Sequence, residues 1–499
     1  MKKRLTILDA MSDPAVFGRW FKGNSWDCWR VFLVVLFGLK MDRKSLEVYR
    51  QHTNRKSAPK QPHKEAWLVV GRRGGKSLIS ALVAVFLACF RDYQRLLAPG
   101  ERGTVMVIAA DRRQARVVFR YISGFLDAVP LLSAMVESRS KETINLRNRI
   151  TLEVHTANFR AVRGYTIVAA VCDEISFWRS EESANPDTEI LNGIRPGMAT
   201  VPDAMLLCIS SPYARRGALW EAWQKHHGKD GDPVLVWQAA TRSMNPTVSE
   251  SVIAEAYEAD PESASAEYGA MFRSDLESFV SAEAVQSVVV PERYELPPVG
   301  GVRYFAFVDP SGGSQDSMTL AIAHREKDRA VLCCVREKRP PFSPEAVVQE
   351  FAELLKMYHI TQVVGDRYGG EFCREPFRKL GIGYEPGAKP KSEIYLELLP
   401  AINSGKVELL DSKRLVSQLT QLERRTRSSG KDSIDHAPGA HDDVANCVAG
   451  ALVLVLRKAV VPLGVPTLVG ERSSSPWAAP GSEPRWEDRA AWRDSVNRK

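Results

Sequence analysis

From residue 66 to about residue 240, short β-rich apolar runs alternate with stretches whose apolar residues recur at helical spacing. The runs are Ala66–Val70, Thr104–Ala110, Ile150–His155, Thr166–Cys172, Ala204–Ser210 and Val234–Gln238. Alternation of this kind predicts a mostly parallel α/β sheet. Residues 249–287 read as helical, and the Pro- and Gly-rich segment VPERYELPPVGG at 290–301 reads as a linker. A second β-rich block follows, with strands at Tyr304–Val308, Met318–Ala323 and Ala330–Val335. A helix is expected over about 344–358, where Val347, Phe351, Leu354 and Tyr358 share one face. A strand at Thr361–Gly365 and further helix and strand alternation carry the pattern to about 457.

Three strands, a helix, a strand and later helices is the order of an RNase H-like domain. The fold class expected is therefore α/β twice over, with an N-terminal mostly parallel sheet and a C-terminal RNase H-like domain. The boundaries read as a basic, Trp-rich lead-in at 1–60, a first domain at 61–288, a linker at 289–301, a second domain at 302–460 and a flexible tail at 461–499. A chain of 499 residues is too long for one core and suits this division.

Composition changes the picture little. The net charge of +8 fits a polyanionic partner without demanding one. The eight cysteines are scattered, with no CxxC pair, and read as reduced thiols rather than a zinc site. The apolar runs Val31–Leu39 and Leu78–Phe90 are shorter than the roughly 20 residues of a spanning helix, so no membrane association is expected. The basic start lacks a signal-peptide core.

The strongest local chemistry is Gly71-Arg72-Arg73-Gly74-Gly75-Lys76-Ser77, directly after a strand and directly before an apolar helix. Backbone N–H groups of such a loop point at phosphates, the lysine reaches the β/γ-phosphates, and the serine hydroxyl ligates Mg²⁺. In the common GxxxxGK[ST] pattern the first glycine would fall at Val70; here it is displaced to Gly71. The partner motif is IVAAVCDE at 167–174, a buried strand that ends in acids. Asp173 suits the Mg²⁺ shell of ATP, and Glu174 suits polarisation of the attacking water. LLCISSP at 206–212 ends another buried strand in two hydroxyls, placed to sense a γ-phosphate. Arg72, Arg73, Arg160 and Arg163 are candidates to neutralise charge in phosphoryl transfer.

In the second block, carboxylates stand at strand and helix ends: Asp309 in FAFVDPSGG, Asp366 in TQVVGD, and Asp442 and Asp443 in GAHDDVANCVAGAL. An RNase H-like fold brings these points to one sheet edge. Hard oxygen ligands there suit two Mg²⁺ or Mn²⁺ ions and phosphodiester cleavage. Asp316 is a candidate outer ligand, and Lys391 a candidate DNA-backbone contact. No GxSxG elbow is present, which disfavours a triad hydrolase.

Taken in order, GRRGGKS, the Arg163–Glu174 segment RGYTIVAAVCDE, SSP, YGAMFRSDLESFV at 268–280, VDPSGG, VVGDRYGG, KSEIY and HDDVANCVAGA resemble the large terminase subunits of tailed double-stranded DNA phages. The resemblance implies a motor that hydrolyses ATP to drive double-stranded DNA into a procapsid and cuts the concatemer with a metal-dependent endonuclease. It implies a homo-oligomeric ring on the portal protein, a small terminase subunit as partner, and a place in the host cytoplasm. Residue by residue, it gives Lys76 and Ser77 to the phosphates, Asp173 and Glu174 to metal and water, and Asp309, Asp366 and either Asp442 or Asp443 to the nuclease metals. It also gives an arginine near 160–163 to a neighbouring subunit's ATP. Asn446 stands one turn after Asp442, where some relatives carry an acid. A DNA helicase or translocase with an accessory nuclease, and an RNase H-class transposase or resolvase with an ATPase domain, share parts of this chemistry.

Overall fold

The computed structural model describes residues 5–158, 162–180, 185–314, 316–366, 370–426, 432–438 and 440–457. The first sheet has eight strands: β1 (Glu65–Val70), β2 (Gly103–Ala109), β3 (Val136–Arg139), β4 (Thr143–Leu146), β5 (Ile150–Thr156), β6 (Thr166–Asp173), β7 (Met205–Ser210) and β8 (Val234–Ala239). Their order is β3-β4-β5-β2-β6-β7-β1-β8, with every pair from β5 to β8 parallel. The strands are nearly continuous in buried apolar residues because helices cover both faces. Leu68 and Val70 of β1 face one core with the helix Lys76–Phe90, while Trp67 and Val69 face the other. The six strands read from the sequence all form. The hairpin β3–β4 at the sheet edge adds two short strands that the apolar pattern does not announce.

Strand order decides what meets what. β7 lies between β1 and β6, so the SSP turn stands between the phosphate-loop candidate and the acidic strand end. The lead-in packs on the same core: Trp29 and Phe32 of helix Asp27–Leu36 are fully buried there.

The 249–287 stretch is only partly helical. Helices Glu250–Ala259 and Pro261–Glu267 are followed by coil, then by β9 (Leu276–Ser278) and a short helix Ala282–Ser287. The segment 289–301 runs along the second sheet, where Val290 N–H donates to the Leu409 carbonyl and Leu296 N–H to that of Cys333.

The second sheet holds β10 (Tyr304–Asp309), β11 (Met318–Glu326), β12 (Arg329–Lys338), β13 (Gln362–Gly365), β14 (Gly383–Pro386) and β15 (Val407–Glu408), ordered β14-β13-β10-β11-β12-β15. β10, β11 and β12 form an antiparallel meander, and β13 joins β10 in parallel after the helix Pro344–Met357. This is the RNase H-like order. Helix Asp443–Arg457 crosses β10 closely: a Cβ on Gly450 would strike the Phe307 ring. β16 (Leu422–Thr426) and β17 (Asp432–His436) form a hairpin that takes β9 as a third strand. Among the described residues no helix is long and apolar enough to cross a membrane. The tail at 461–499 lies outside the described residues.

Candidate nucleotide and metal sites

The loop Gly71–Ser77 is fastened from outside. Trp29 Nε1 donates to the Gly74 carbonyl at 2.8 Å, Thr241 Oγ1 to that of Arg72 at 2.7 Å, and Asn245 Nδ2 to that of Arg73 at 2.8 Å. With these carbonyls engaged, the loop's own N–H groups are left for an anion. Gly71 N–H donates to the Ala239 carbonyl, and a Cβ at residue 71 would run into Thr241 Oγ1 and the Tyr268 carbonyl. That close approach is the physical reason for a glycine at 71. Arg72 pairs with Glu267 at 3.1 Å, and Arg73 is exposed.

Lys76 opens the following helix and is only 6% exposed. Its Nζ donates to the Val70 carbonyl at 2.8 Å and to Ser211 Oγ at 2.7 Å, and lies 3.3 Å from Glu174 Oε1. Ser77 is half-buried on the same turn. Glu174 Oε2 accepts from Ser210 Oγ at 3.0 Å and from Ser211 N–H at 3.1 Å. Glu174 adopts a left-handed backbone (φ 51°), a conformation disfavoured for a side chain with a Cβ, and the two serines hold its carboxylate in place. Asp173 is buried, and burial together with the Glu174 charge pushes its carboxyl up to about 7. Its Oδ1 has no hydrogen-bond partner among the described residues. A buried, unsatisfied carboxylate oxygen two strands from the phosphate loop fits a cation held with a nucleotide.

Arg163 is exposed and stands just before β6, at the edge of the sheet away from the loop. β6 spans roughly 23 Å at about 3.3 Å per residue, so Arg163 is remote from the Lys76 of its own chain. Arg160 lies outside the described residues.

In the second sheet, Val308 pairs with Gly365, which sets Asp309 and Asp366 side by side at the ends of parallel strands. Asn446 Nδ2 bridges them, at 2.8 Å from Asp309 Oδ2 and 3.1 Å from Asp366 Oδ2. Burial raises the Asp309 carboxyl well above its ordinary value, the Asn446 hydrogen bond opposes this, and Asp366, Asp443 and Asp442 add to the rise in that order. Asp443 begins the last helix, accepts Ser317 N–H at 3.3 Å, and is itself raised by burial. Asp442 is engaged otherwise: Tyr395 Oη donates to it at 2.9 Å, and Lys391 Nζ lies 3.1 Å away. Burial pulls the Lys391 ammonium down, yet Asp442 and Asp435 together lift it above the ordinary lysine value. Asp316 lines the same cavity of about 450 Å³, half-facing solvent beside His441.

The acidic positions singled out from sequence thus converge in one cavity. Sequence reasoning missed Tyr395, Asp435 and His436. Asp435, His436 and Asp442 have ligand atoms within 4.8 Å of one another. The Asn446 Oδ1 atom is buried without a partner among the described residues. Several carboxylates whose charges oppose one another, around an unsatisfied polar atom, fit divalent cations.

Residues 39–270 match the family model described as "Uncharacterized protein MJ0330, N-terminal P-loop domain", so this stretch is a P-loop domain. No curated protein matches the chain. Among solved structures, the chain is similar to the HK97 bacteriophage large terminase at 17% identity over 85% of this chain and 99% of that one, with a TM-score of 0.36. It is similar to a full-length large terminase from a thermophilic bacteriophage at 12% identity over 84% and 100%, with a TM-score of 0.37. The magnesium-bound large terminase nuclease of another thermophilic phage, G20c, is 20% identical over 35% of this chain and 96% of that one, with a TM-score of 0.31. Similarity at this level fixes neither activity nor site residues.

Proposed function

We propose that this chain is a phage-type DNA-packaging motor subunit, which hydrolyses ATP to translocate double-stranded DNA and cleaves that DNA with a metal-dependent nuclease. The observation that carries the reading is the presence, in one chain, of a phosphate-loop lysine joined to Glu174 through Ser211 and of a carboxylate cavity built on Asp309, Asp366 and Asp443. Neither half alone distinguishes a motor from a repair ATPase or a resolvase.

At the first site, the N–H groups of Gly71, Arg72, Arg73, Gly74 and Gly75 receive the phosphates. Lys76 turns from Ser211 to the β/γ-oxygens. Ser77 and Asp173 hold the magnesium of the nucleotide, and Glu174, fixed by Ser210 and Ser211, orients the attacking water. Arg163, at the far edge of the sheet, serves an adjacent subunit in a ring rather than its own chain.

At the second site, divalent ions activate a water and neutralise the leaving oxygen when bound. Asp309, Asp366 and Asp443 supply the anionic oxygens. Asn446 keeps the first two from recoiling. Lys391 and Tyr395 hold Asp442 beside them. Portal protein, a small terminase subunit and a homo-oligomeric ring in the host cytoplasm belong to the same reading.

The test is uptake of DNA into procapsids that carry portal protein, read as protection from added DNase. Protection that requires ATP and vanishes in Lys76→Ala supports a packaging motor. Equal protection with Lys76→Ala, or none with the active wild-type chain, contradicts it.

A further inference from the structure

The two sites are joined by a continuous set of contacts. Lys76 Nζ bonds Ser211 Oγ at 2.7 Å, and Ser211 N–H donates to Glu174 at 3.1 Å. Two residues further on, the buried Tyr213 donates its hydroxyl to Glu423 Oε2 at 2.7 Å. Arg216 pairs with the other oxygen of Glu423. Phe177, in the turn after Glu174, packs its ring on Tyr213 with centroids 5.4 Å apart. Glu423 lies on β16 directly opposite Asp435 of β17. Asp435 holds Lys391 Nζ at 2.8 Å, and Lys391 holds Asp442 in the carboxylate cavity at 3.1 Å.

Physical chemistry makes this route responsive. An ammonium has three donors, and those of Lys76 are directed at Val70, Ser211 and Glu174. A phosphate that binds Lys76 must displace at least one of them. Pro212 restricts the backbone between Ser211 and Tyr213, so a shift of Ser211 is passed on rather than absorbed. Glu423 is only 4% exposed. A buried carboxylate depends on fixed partners because water cannot replace them. Movement of Tyr213 or Arg216 therefore moves β16, and with it the strand that positions Lys391.

We propose that the Tyr213–Glu423 contact makes cleavage in the carboxylate cavity depend on nucleotide occupancy of the phosphate loop. This rests on the two activities proposed above. Tyr213 and Glu423 are positioning residues that touch neither nucleotide nor DNA. Coupling between sites is reciprocal in binding, so DNA bound in the cavity alters nucleotide affinity by the same factor.

The experiment uses the full chain with plasmid DNA and Mn²⁺, and compares cleavage rates without nucleotide and with saturating ATP-γ-S. The wild-type rates are expected to differ by at least about fivefold, within the usual range for coupled sites. In Tyr213→Phe, which keeps the ring and removes the hydroxyl, the two rates should converge while ATP hydrolysis and basal cleavage persist. Glu423→Gln, which removes the charge at the other end of the contact, should converge likewise and decides the matter if Tyr213→Phe does not fold. Equal rates in a wild-type chain with both activities, or an undiminished nucleotide effect in the folded variants, overturns the proposal alone. A wild-type chain lacking either activity overturns the underlying reading as well.

Discussion

The Asn446 amide lies 2.8 Å from the Asp309 carboxylate and donates to it. It is a neutral donor set among acids, and it opposes the burial that raises Asp309. Asn446→Ala removes that support, so Asp309 should ionise only at higher pH. A carboxylate must be ionised to bind a cation. The acidic limb of the cleavage–pH profile should therefore move to higher pH, with activity at neutral pH falling by about 10–100-fold, the usual effect of a ligand-orienting partner. An unmoved profile would make Asn446 a packing residue only.

Asp442 and Asp443 divide their work in the structure. Asp443 ranks ahead of Asp442 in raising Asp309 and takes the Ser317 N–H, whereas Asp442 is held by Lys391 and Tyr395. Asparagine caps helices about as well as aspartate, so both Asn variants should fold. Asp443→Asn should lose cleavage by orders of magnitude, and Asp442→Asn by about tenfold. The reverse ranking, measured as plasmid cleavage rates, would assign Asp442 to the metal.

Much of this was legible in the sequence because the chemistry sits at the ends of strongly apolar strands. β1, β6, β10 and β13 announce themselves by composition, and Lys76, Asp173, Asp309 and Asp366 follow from them. The hairpin β16–β17 does not: LERRT and DSIDH have no apolar alternation, and their pairing depends on β9 and on the contacts of Glu423. Asp435 and His436 were hidden for that reason. The helical reading of 249–287 failed at 268–281 because Leu276 pairs with Arg425, about 150 residues away, and such pairing overrides local propensity. Tyr395 reads as an ordinary apolar-face residue until its hydroxyl is seen on Asp442.

Asp173 carries a pH signature in stability. Its folded carboxyl is raised to about 7, above the ordinary value of 3.8, by burial and by Glu174. The folded state therefore holds a proton that the unfolded state has released between about pH 4 and 7. The stability this contributes is full below about pH 4 and lost as pH rises through about 7. Asp173→Asn cannot ionise. Without nucleotide it should melt at a higher temperature than wild type at pH 8, with the gap closing toward pH 4. A gap independent of pH would mean that Asp173 is already ionised at low pH in the fold.

Arg163 offers a test of ring assembly. Standing about one strand length from its own loop, it should leave ATP binding intact when changed to alanine, yet reduce hydrolysis by up to about 10³-fold, as a trans arginine does. Mixing Arg163→Ala with the equally inactive Glu174→Gln should restore part of the turnover, since some interfaces then pair an intact Glu174 with an intact Arg163. No recovery at any ratio would make Arg163 structural.

The central claim is that one chain carries two separate chemistries, ATP hydrolysis at Lys76–Glu174 and metal-dependent DNA cleavage at Asp309–Asp366–Asp443. The most direct measurement takes wild type, Glu174→Gln and Asp309→Asn of the full chain and assays each for ATP hydrolysis and for Mn²⁺-dependent plasmid cleavage in the absence of nucleotide. The account predicts that Glu174→Gln cuts DNA but does not hydrolyse ATP, and that Asp309→Asn hydrolyses ATP but does not cut. Full cleavage by Asp309→Asn, or wild-type ATP turnover by Glu174→Gln, would contradict it.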